Sequence, residues 1–426
     1  MSYFNRIKEL LNSSHSTFHV VDLLKKDLEE KGFVRLDENE DFNIELGGSY
    51  FITRGGTSLI AFKIPKNGFN SYSIVCSHTD SPTFKIKPNP LIVNKYVSLD
   101  VEPYGGMISY SFFDRPLSFA GRVMIKKDNK VYSRLVDIDK NLLYIPSVAI
   151  HMNREVNSNF KVNPAVDTLP LFSLSSEINF NEFLKEYLKE DGEIISHDLY
   201  LYNRDEVKEV GINDELFCSP RIDNLTSVYS SLIALEEATP SNSIDIIACF
   251  DSEEIGSLTY QGANSPFLKD VLERIEAKFG NNLTKHLSSS FSLSVDNAHA
   301  LHPNHQELSS RSSEVLLNKG VVIKHSASKS YTTDALSCSL VKLLAEKANI
   351  KVQEFTNRND MRGGSTLGKL LVSELSILSC DIGIAQLAMH SANEIAAKND
   401  VEDMVLLLKE AFQSQIKITS DSCEVK

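Results

Sequence analysis

Seven side chains stand out by type and position: His78 and Asp80, separated by one residue, Asp223, the adjacent pair Glu253 and Glu254, Asp296 and His390. Five of them, His78, Asp223, Glu254, Asp296 and His390, combine two imidazoles with three carboxylates. That donor mixture suits Zn²⁺, Mn²⁺ or Co²⁺ rather than Ca²⁺ or a thiolate-held ion. A pair of ions about 3.5–4 Å apart needs one bridging carboxylate and ligands on either side of it. Five ligands that include a bridging Asp meet the requirement and leave positions for water. Glu253 adjoins a ligand and could take a proton from a bound water and return it to a leaving group. Asp80 could hydrogen-bond the second ring nitrogen of His78.

Taken singly these signals are common. An H-x-D triplet, an adjacent Glu-Glu pair or an Asp at a strand end is usually a turn, a solvated face or a helix cap. Their positions give them weight. The apolar run Ser73–Ser77 leads into His78-Thr-Asp80, Ser243–Phe250 into Asp251-Ser-Glu253-Glu254, and Ser290–Val295 into Asp296-Asn-Ala-His299. Ser73–Ser77 is a continuous apolar run that reads as a strand buried on both faces, and the other two segments read as strands as well. In open α/β sheets ligands bind beyond the carboxyl ends of the strands. Loops at Arg221-Ile-Asp223 and Met389-His390 supply the remaining candidates.

The surrounding pattern supplies elements able to position them. Val20, Val21, Leu23, Leu24 and Leu28 recur near helical spacing, and strand-like runs follow at 50–53 and 58–64. From about Pro90 to Leu216 strand-like segments dominate, at 91–93, 121–125, 130–136 and 194–202, with turns at Asp128-Asn129 and Asp191-Gly192. Helices are expected near 225–238, 333–348 and 400–413. Alternating strands and helices predict an α/β fold, a mostly parallel sheet with helices on both faces, interrupted by an inserted mostly-β domain. The expected division is 1–90 with 216–426 for the discontinuous catalytic unit and 91–215 for the insert.

Composition narrows the function classes. At about 100–200 residues per domain, 426 residues make two or three domains. Apolar residues at 42% can fill a sizeable core, and 24% charged residues argue against disorder. No run of 18 apolar residues occurs, so no membrane-spanning helix is expected. The start lacks a basic segment followed by an apolar run, so no secretory signal is expected either. A net charge of −13 without clustered Lys and Arg argues against nucleic acid as a partner. The six cysteines include no C-x-x-C pair, which argues against a cysteine-held zinc, and suit a reducing cytoplasm.

At this point the chain resembles a family. The segments His78-Thr-Asp80-Ser-Pro82, Ser219-Pro-Arg-Ile-Asp223-Asn-Leu225, Asp251-Ser-Glu253-Glu254-Ile-Gly256, Asp296-Asn-Ala-His299 and Leu387-Ala-Met-His390-Ser391 look like those of the M18 metallo-aminopeptidases, the aspartyl aminopeptidase family. Further matching stretches are Ser16–His19, Tyr50–Arg54, Tyr104-Gly-Gly106, Phe113–Arg115, Ala120–Val123, Asn357–Asp360 and Gly364–Gly368, so the likeness covers nearly the whole chain. The resemblance implies a di-zinc aminopeptidase, with manganese or cobalt as alternatives, acting on peptides that begin with Asp or Glu. It implies that His78, Asp223 and Asp296 hold one metal and that Asp223, Glu254 and His390 hold the other, with Asp223 bridging. Glu253 would be the general base and acid, and Asp80 would orient His78. It further implies a homo-oligomer, a tetrahedral dodecamer, in which His151 reaches a neighbouring subunit's site, and an acidic-residue pocket of His299, Lys324 and Tyr331.

The chain departs from the family pattern in places. Ser330 stands where an arginine often precedes the pocket tyrosine, Ala392-Asn393 where Ile-Arg often follows the metal histidine, and no Trp occurs. Three other readings stay open: the same mechanism with a neutral or apolar preference, a related di-metal amidohydrolase, and a catalytically silent assembly protein.

Overall fold

The computed structural model describes residues 2–361 and 363–426. Its centre is a nine-stranded sheet whose spatial order is Val34–Arg35, Ser49–Arg54, Ser58–Lys63, Ser243–Phe250, Ser71–His78, Phe291–Val295, Leu378–Gly383, Val321–His325 and Val352–Thr356. The four central strands, from Ser243–Phe250 to Leu378–Gly383, are mutually parallel. Every residue of Ser71–His78 and of Ser243–Phe250 is buried, including polar Ser73 and Asp245, and the apolar stretches Ile74–Cys76 and Ile246–Phe250 are what make both legible as strands with no free face.

Helices cover both faces. On one side Tyr3–Ser13, Thr17–Glu30, Ile222–Glu237, Ala335–Lys347 and Lys398–Gln413 pack a core around Val75, Ile247 and Leu293. On the other, Phe267–Phe279 and Gly368–Leu375 pack against Ile74, Ile246 and Phe250. Neighbouring residues of one strand therefore feed opposite cores, as the two-residue period of a strand requires. The helix at Ala335 begins with a capping box: the Asp334 side chain accepts the Ser337 N–H, and the Ser337 side chain answers the Asp334 backbone.

A second sheet is wholly antiparallel, in the order Lys130–Asp137, Leu117–Lys127, Glu193–Asn203, Thr83–Val93, Val97–Tyr104, Leu171–Ser173. It buries one face on its own apolar cluster with the helix Phe180–Leu188. Its first long strand runs unbroken from Thr83 past Pro88 and Pro90, where the pairing register shifts between Ile86 and Leu91. Prolines cannot donate to a ladder and are tolerated at such irregularities.

A third sheet of very short strands was not visible in the sequence pattern. It joins Lys208–Val210, Leu216–Ser219, Glu394–Ala397, Ala385–Leu387 and Ala298–His299. Among the described residues no helix is long and apolar enough to cross a membrane.

Candidate active site

The parallel register brings the strand ends level. Phe250 pairs with His78 and Ser294 with Cys76, so Glu253, Glu254 and Asp296 emerge beside His78. The third sheet adds the rest. Ser219 pairs with Glu394, which places Asp223 against the hairpin 385–397 that carries His390.

His78 Nε2 lies 3.5 Å from Asp223 Oδ1 and 3.8 Å from Asp296 Oδ1. His390 Nε2 lies 3.6 Å from Asp223 Oδ2 and 3.4 Å from Glu254 Oε1. The two oxygens of Asp223 thus face different imidazoles, and the Asp223 Oδ1 atom is buried with no hydrogen-bond partner. A buried carboxylate oxygen left without a donor is costly unless a cation completes it. His78, Asp223 and Glu254 offer ligand atoms within 4.8 Å of one another. The donor chemistry and the orphaned oxygen both fit divalent metal.

The charge distribution is what such a cluster imposes. Burial would lower the His78 imidazole, but Asp223, Asp296 and Asp80 override it and raise it well above its ordinary value. His390 is likewise raised to about 10 against the effect of burial, by Asp223 and Glu254. Asp223 is lowered, because His390 and His78 outweigh its burial. Burial, then the like charges of Asp296, Asp80 and Asp223, raises Glu253 to about 7. Burial followed by Asp223 raises Glu254 as well. A carboxyl poised near neutrality beside ligand-type residues is suited to moving a proton.

The supporting hydrogen bonds come from all three sheets. His78 Nδ1 donates to the backbone carbonyl of Asp80 at 3.1 Å, with that residue's carboxylate at 3.4 Å. The Asp80 carboxylate is occupied elsewhere: it accepts the N–H groups of Glu253 and Glu254 at 3.1 and 3.2 Å and the Tyr104 hydroxyl at 2.8 Å. It therefore fixes the Glu253–Glu254 turn as much as the imidazole. His390 Nδ1 donates to Gly106 O at 2.7 Å. Gly105, between these two contacts, has φ +75°, and a Cβ there would lie 3.0 Å from Glu254 Cβ. Both demands disfavour a side chain at position 105 and account for the first glycine of the Tyr104-Gly-Gly106 segment.

Glu394 is the residue the sequence reading passed over. One carboxylate oxygen accepts the Asp223 N–H at 3.0 Å, and the other accepts the His390 N–H at 2.7 Å. Its burial, then the nearby Asp223, raises it to about 8. Asn224 Nδ2 donates to Val295 O at 2.8 Å and ties the Asp223 segment to the central strand. No local pattern marks these residues, because their partners are distant in sequence.

The remaining candidates divide. Lys324 is buried, with Nζ 3.4 Å from Asp296 Oδ2 and 3.1 Å from Asn297 O. Burial would lower its ammonium, but Asp296 and the other acidic groups hold it above its ordinary value. Its Nζ also lies 5.0 Å from the centre of the Tyr331 ring. His299 is exposed at the edge of the third sheet, and the Phe355 ring lies 6.3 Å from both His299 and Tyr331. His151 is exposed in a turn, and among the described residues no hydrogen bond or ion pair joins it to this cluster.

A mainly parallel sheet with imidazoles and carboxylates gathered at its strand ends defines an α/β metallohydrolase. Residues 10–412 match the family described as Aminopeptidase I zinc metalloprotease (M18). The chain is 41% identical over 415 residues to the probable M18 family aminopeptidase 2 of Clostridium novyi, covering 94% of this chain and 96% of that one. It is 37% identical over 470 residues to aspartyl aminopeptidase 4 of Saccharomyces cerevisiae, covering 98% and 96%. Among solved structures, the cryo-EM structure of the Ape4 and Nbr1 complex matches with a TM-score of 0.92 at 35% identity, over 96% of this chain and 85% of that one. The Saccharomyces cerevisiae mApe1 dodecamer matches with a TM-score of 0.83 at 26% identity, over 96% of each chain. The chain belongs to the M18 family and is a metallo-aminopeptidase.

Proposed function

We propose that this aminopeptidase removes the first residue from peptides beginning with Asp or Glu. The observation that carries the site assignment is the division of the Asp223 carboxylate between His78 and His390. Two divalent ions, zinc in the first place, would be held by His78, Asp223 and Asp296 and by Asp223, Glu254 and His390. When bound, such ions acidify a water and polarise a carbonyl. Glu253 takes the proton from the attacking water and delivers it to the departing amine. Asp80 and Glu394 keep the ligand-bearing segments in place, and Asp80 holds the Glu253 backbone so that its side chain faces the cluster.

Lys324, His299 and Tyr331 form the pocket for the acidic side chain, a reading supported by the aspartyl aminopeptidase relative. One observation favours a second reading. Lys324 already engages Asp296, and Ser330 occupies a position where an arginine would add positive charge, so neutral first residues could compete well. Comparing Asp-, Glu- and Leu-arylamides, with chelator and metal add-back, separates the two. Chelator-sensitive cleavage favouring Asp and Glu supports the first reading; cleavage favouring Leu replaces it.

The unit 91–215 is the assembly domain, and 1–90 with 216–426 is the catalytic one. Exposed apolar side chains on the antiparallel sheet, such as Val131 and Ile195, support a homo-oligomer, a dodecamer like its yeast relative. In it His151 would enter a neighbour's site and polarise the scissile carbonyl. Its exposure in the single chain suits that task. His151→Ala should then lower kcat while leaving metal content and oligomer size unchanged. The six free thiols suit a cytoplasmic location.

A further inference from the structure

The last two strands of the nine-stranded sheet, Val321–His325 and the edge strand Val352–Thr356, pair in parallel, with Lys324 opposite Phe355 and His325 opposite Thr356. Successive side chains alternate between the two faces. Lys324 and Phe355 therefore face the active-site pocket, while His325 and Glu354 share the opposite face. The helix Ala335–Lys347 packs over that face and brings Cys338, with Lys342 one turn later.

Three different metal-ligating side chains meet there. His325 Nε2 is 3.1 Å from Glu354 Oε2 and 3.9 Å from Cys338 Sγ, and the three donor atoms lie within 4.8 Å of one another. Metal–ligand bonds of 2.0–2.3 Å at tetrahedral angles put donors about 3.4–3.6 Å apart, close to what this cluster offers. Lys342 Nζ sits 2.5 Å from Glu354 Oε1, the oxygen that does not face His325. The ammonium can thus stay on one oxygen while the other ligates.

We propose that His325, Cys338 and Glu354 form a third divalent-metal site, selective for zinc-like ions and separate from the catalytic cluster. A thiol, an imidazole and one carboxylate suit zinc or cobalt and are poor ligands for calcium or magnesium. The side chains of Glu354 and His325 are 47% and 26% exposed, so an ion has an entry path and water can fill the fourth position. Burial raises the Cys338 thiol, with Lys342 opposing, but coordination removes a thiol proton outright. The absence of C-x-x-C spacing does not bear on this site, because its donors come from two strands and a helix.

Its position gives it a consequence. His325 follows Lys324 directly and opens the 326–333 loop that carries Tyr331. That loop borders a cleft of about 1020 Å³ together with Thr356, Asn357 and Arg358. An ion at His325 pins the base of this loop and the strand beneath the pocket. The inference does not depend on the substrate or the role assignments above.

The test uses the full chain, stripped by chelator and reloaded with cobalt(II). The catalytic donors are nitrogen and oxygen only, so a thiolate-to-cobalt charge-transfer band reports a site outside the catalytic cluster, and the variants assign it among the six free thiols. The band should appear on loading and vanish in both Cys338→Ser and His325→Gln, with one equivalent less metal bound and arylamide hydrolysis retained. Cobalt-saturated native protein without the band overturns the proposal, as does a band that survives Cys338→Ser. If Cys338→Ser fails to fold, His325→Gln, at a partly exposed side chain, decides in its place.

Discussion

The two large sheets of this chain use similar apolar residues to opposite ends. In the nine-stranded sheet the central strands are buried on both faces between two helical layers. In the antiparallel sheet one face packs a core, while Val131, Leu135 and Ile195 remain 47%, 37% and 48% exposed. A strand with no free face can meet solvent or substrate only at its ends, and the chemistry-bearing residues are found there. A sheet with a free face can use that face for contact. It also reaches into the site from the end of the strand Val97–Tyr104, because Tyr104 and, in the loop beyond it, Gly106 hold Asp80 and His390. The lesson is that the sheet without catalytic side chains still sets the geometry of the sheet that carries them.

The contrast is testable, beginning with its strongest case. Glu253→Gln keeps shape and removes the proposed base, so kcat should fall by about 10²–10⁴ with metal content unchanged. A variant with normal turnover removes Glu253 from the mechanism. The proposed role needs the ionised form, so activity should climb with pH through a window centred near 7, the value to which burial and then the neighbouring carboxylates raise this group, or lower where bound cations favour the carboxylate. A profile flat from about pH 5 to pH 8 would contradict that role.

Next comes the doubly buried sheet itself. Ile247 is fully buried on its central strand, so Ile247→Ala should cost about 2–5 kcal/mol in denaturant unfolding. A smaller contribution is expected where the antiparallel sheet touches the site. Tyr104→Phe removes one hydrogen bond to Asp80 and should lower activity or metal affinity about 10–100-fold. No change in either would mean that the sheet does not position the cluster. The smallest effect belongs to the free face. Val131→Ala should alter the stability of the folded chain by less than about 0.5 kcal/mol. A loss comparable to that of Ile247→Ala would show that this face is covered, and the oligomer size of the variant would tell cover by a neighbouring subunit from cover within the chain.

Much of the architecture was legible before any coordinates. Ser243–Phe250 was read with the same bounds it has in the structure, because burial on both faces leaves the apolar stretch Ile246–Phe250, long enough to outweigh the single buried Asp245. Thr333–Ala348 lies within two residues of the observed helix, whose start is marked by the Asp334 cap. The strand Thr83–Val93 was read only at 91–93, since Pro88 and Pro90 interrupt the pattern that its neighbour strands tolerate. Leu378–Gly383 was missed for a different reason. Its Ser379 and Asp381 are polar yet buried, and the Asp381 carboxylate is satisfied by Thr332 and Thr366 from other segments.

The site divides along the same line. The sequence by itself determined the donor types, their places at the ends of apolar runs and the family likeness, because a strand buried on both faces writes its environment into consecutive residues. Only the tertiary structure decided which oxygen of Asp223 faces which histidine, that Glu394 holds both ligand segments, that Lys324 pairs with Asp296, and that His325, Cys338 and Glu354 meet. Those contacts join segments far apart in the chain, from the strand Ser71–His78 and the helix Ala335–Lys347 to the short strand Glu394–Ala397, and no local period announces which of them will meet. They form only when the sheets close and the buried carboxylates must find partners.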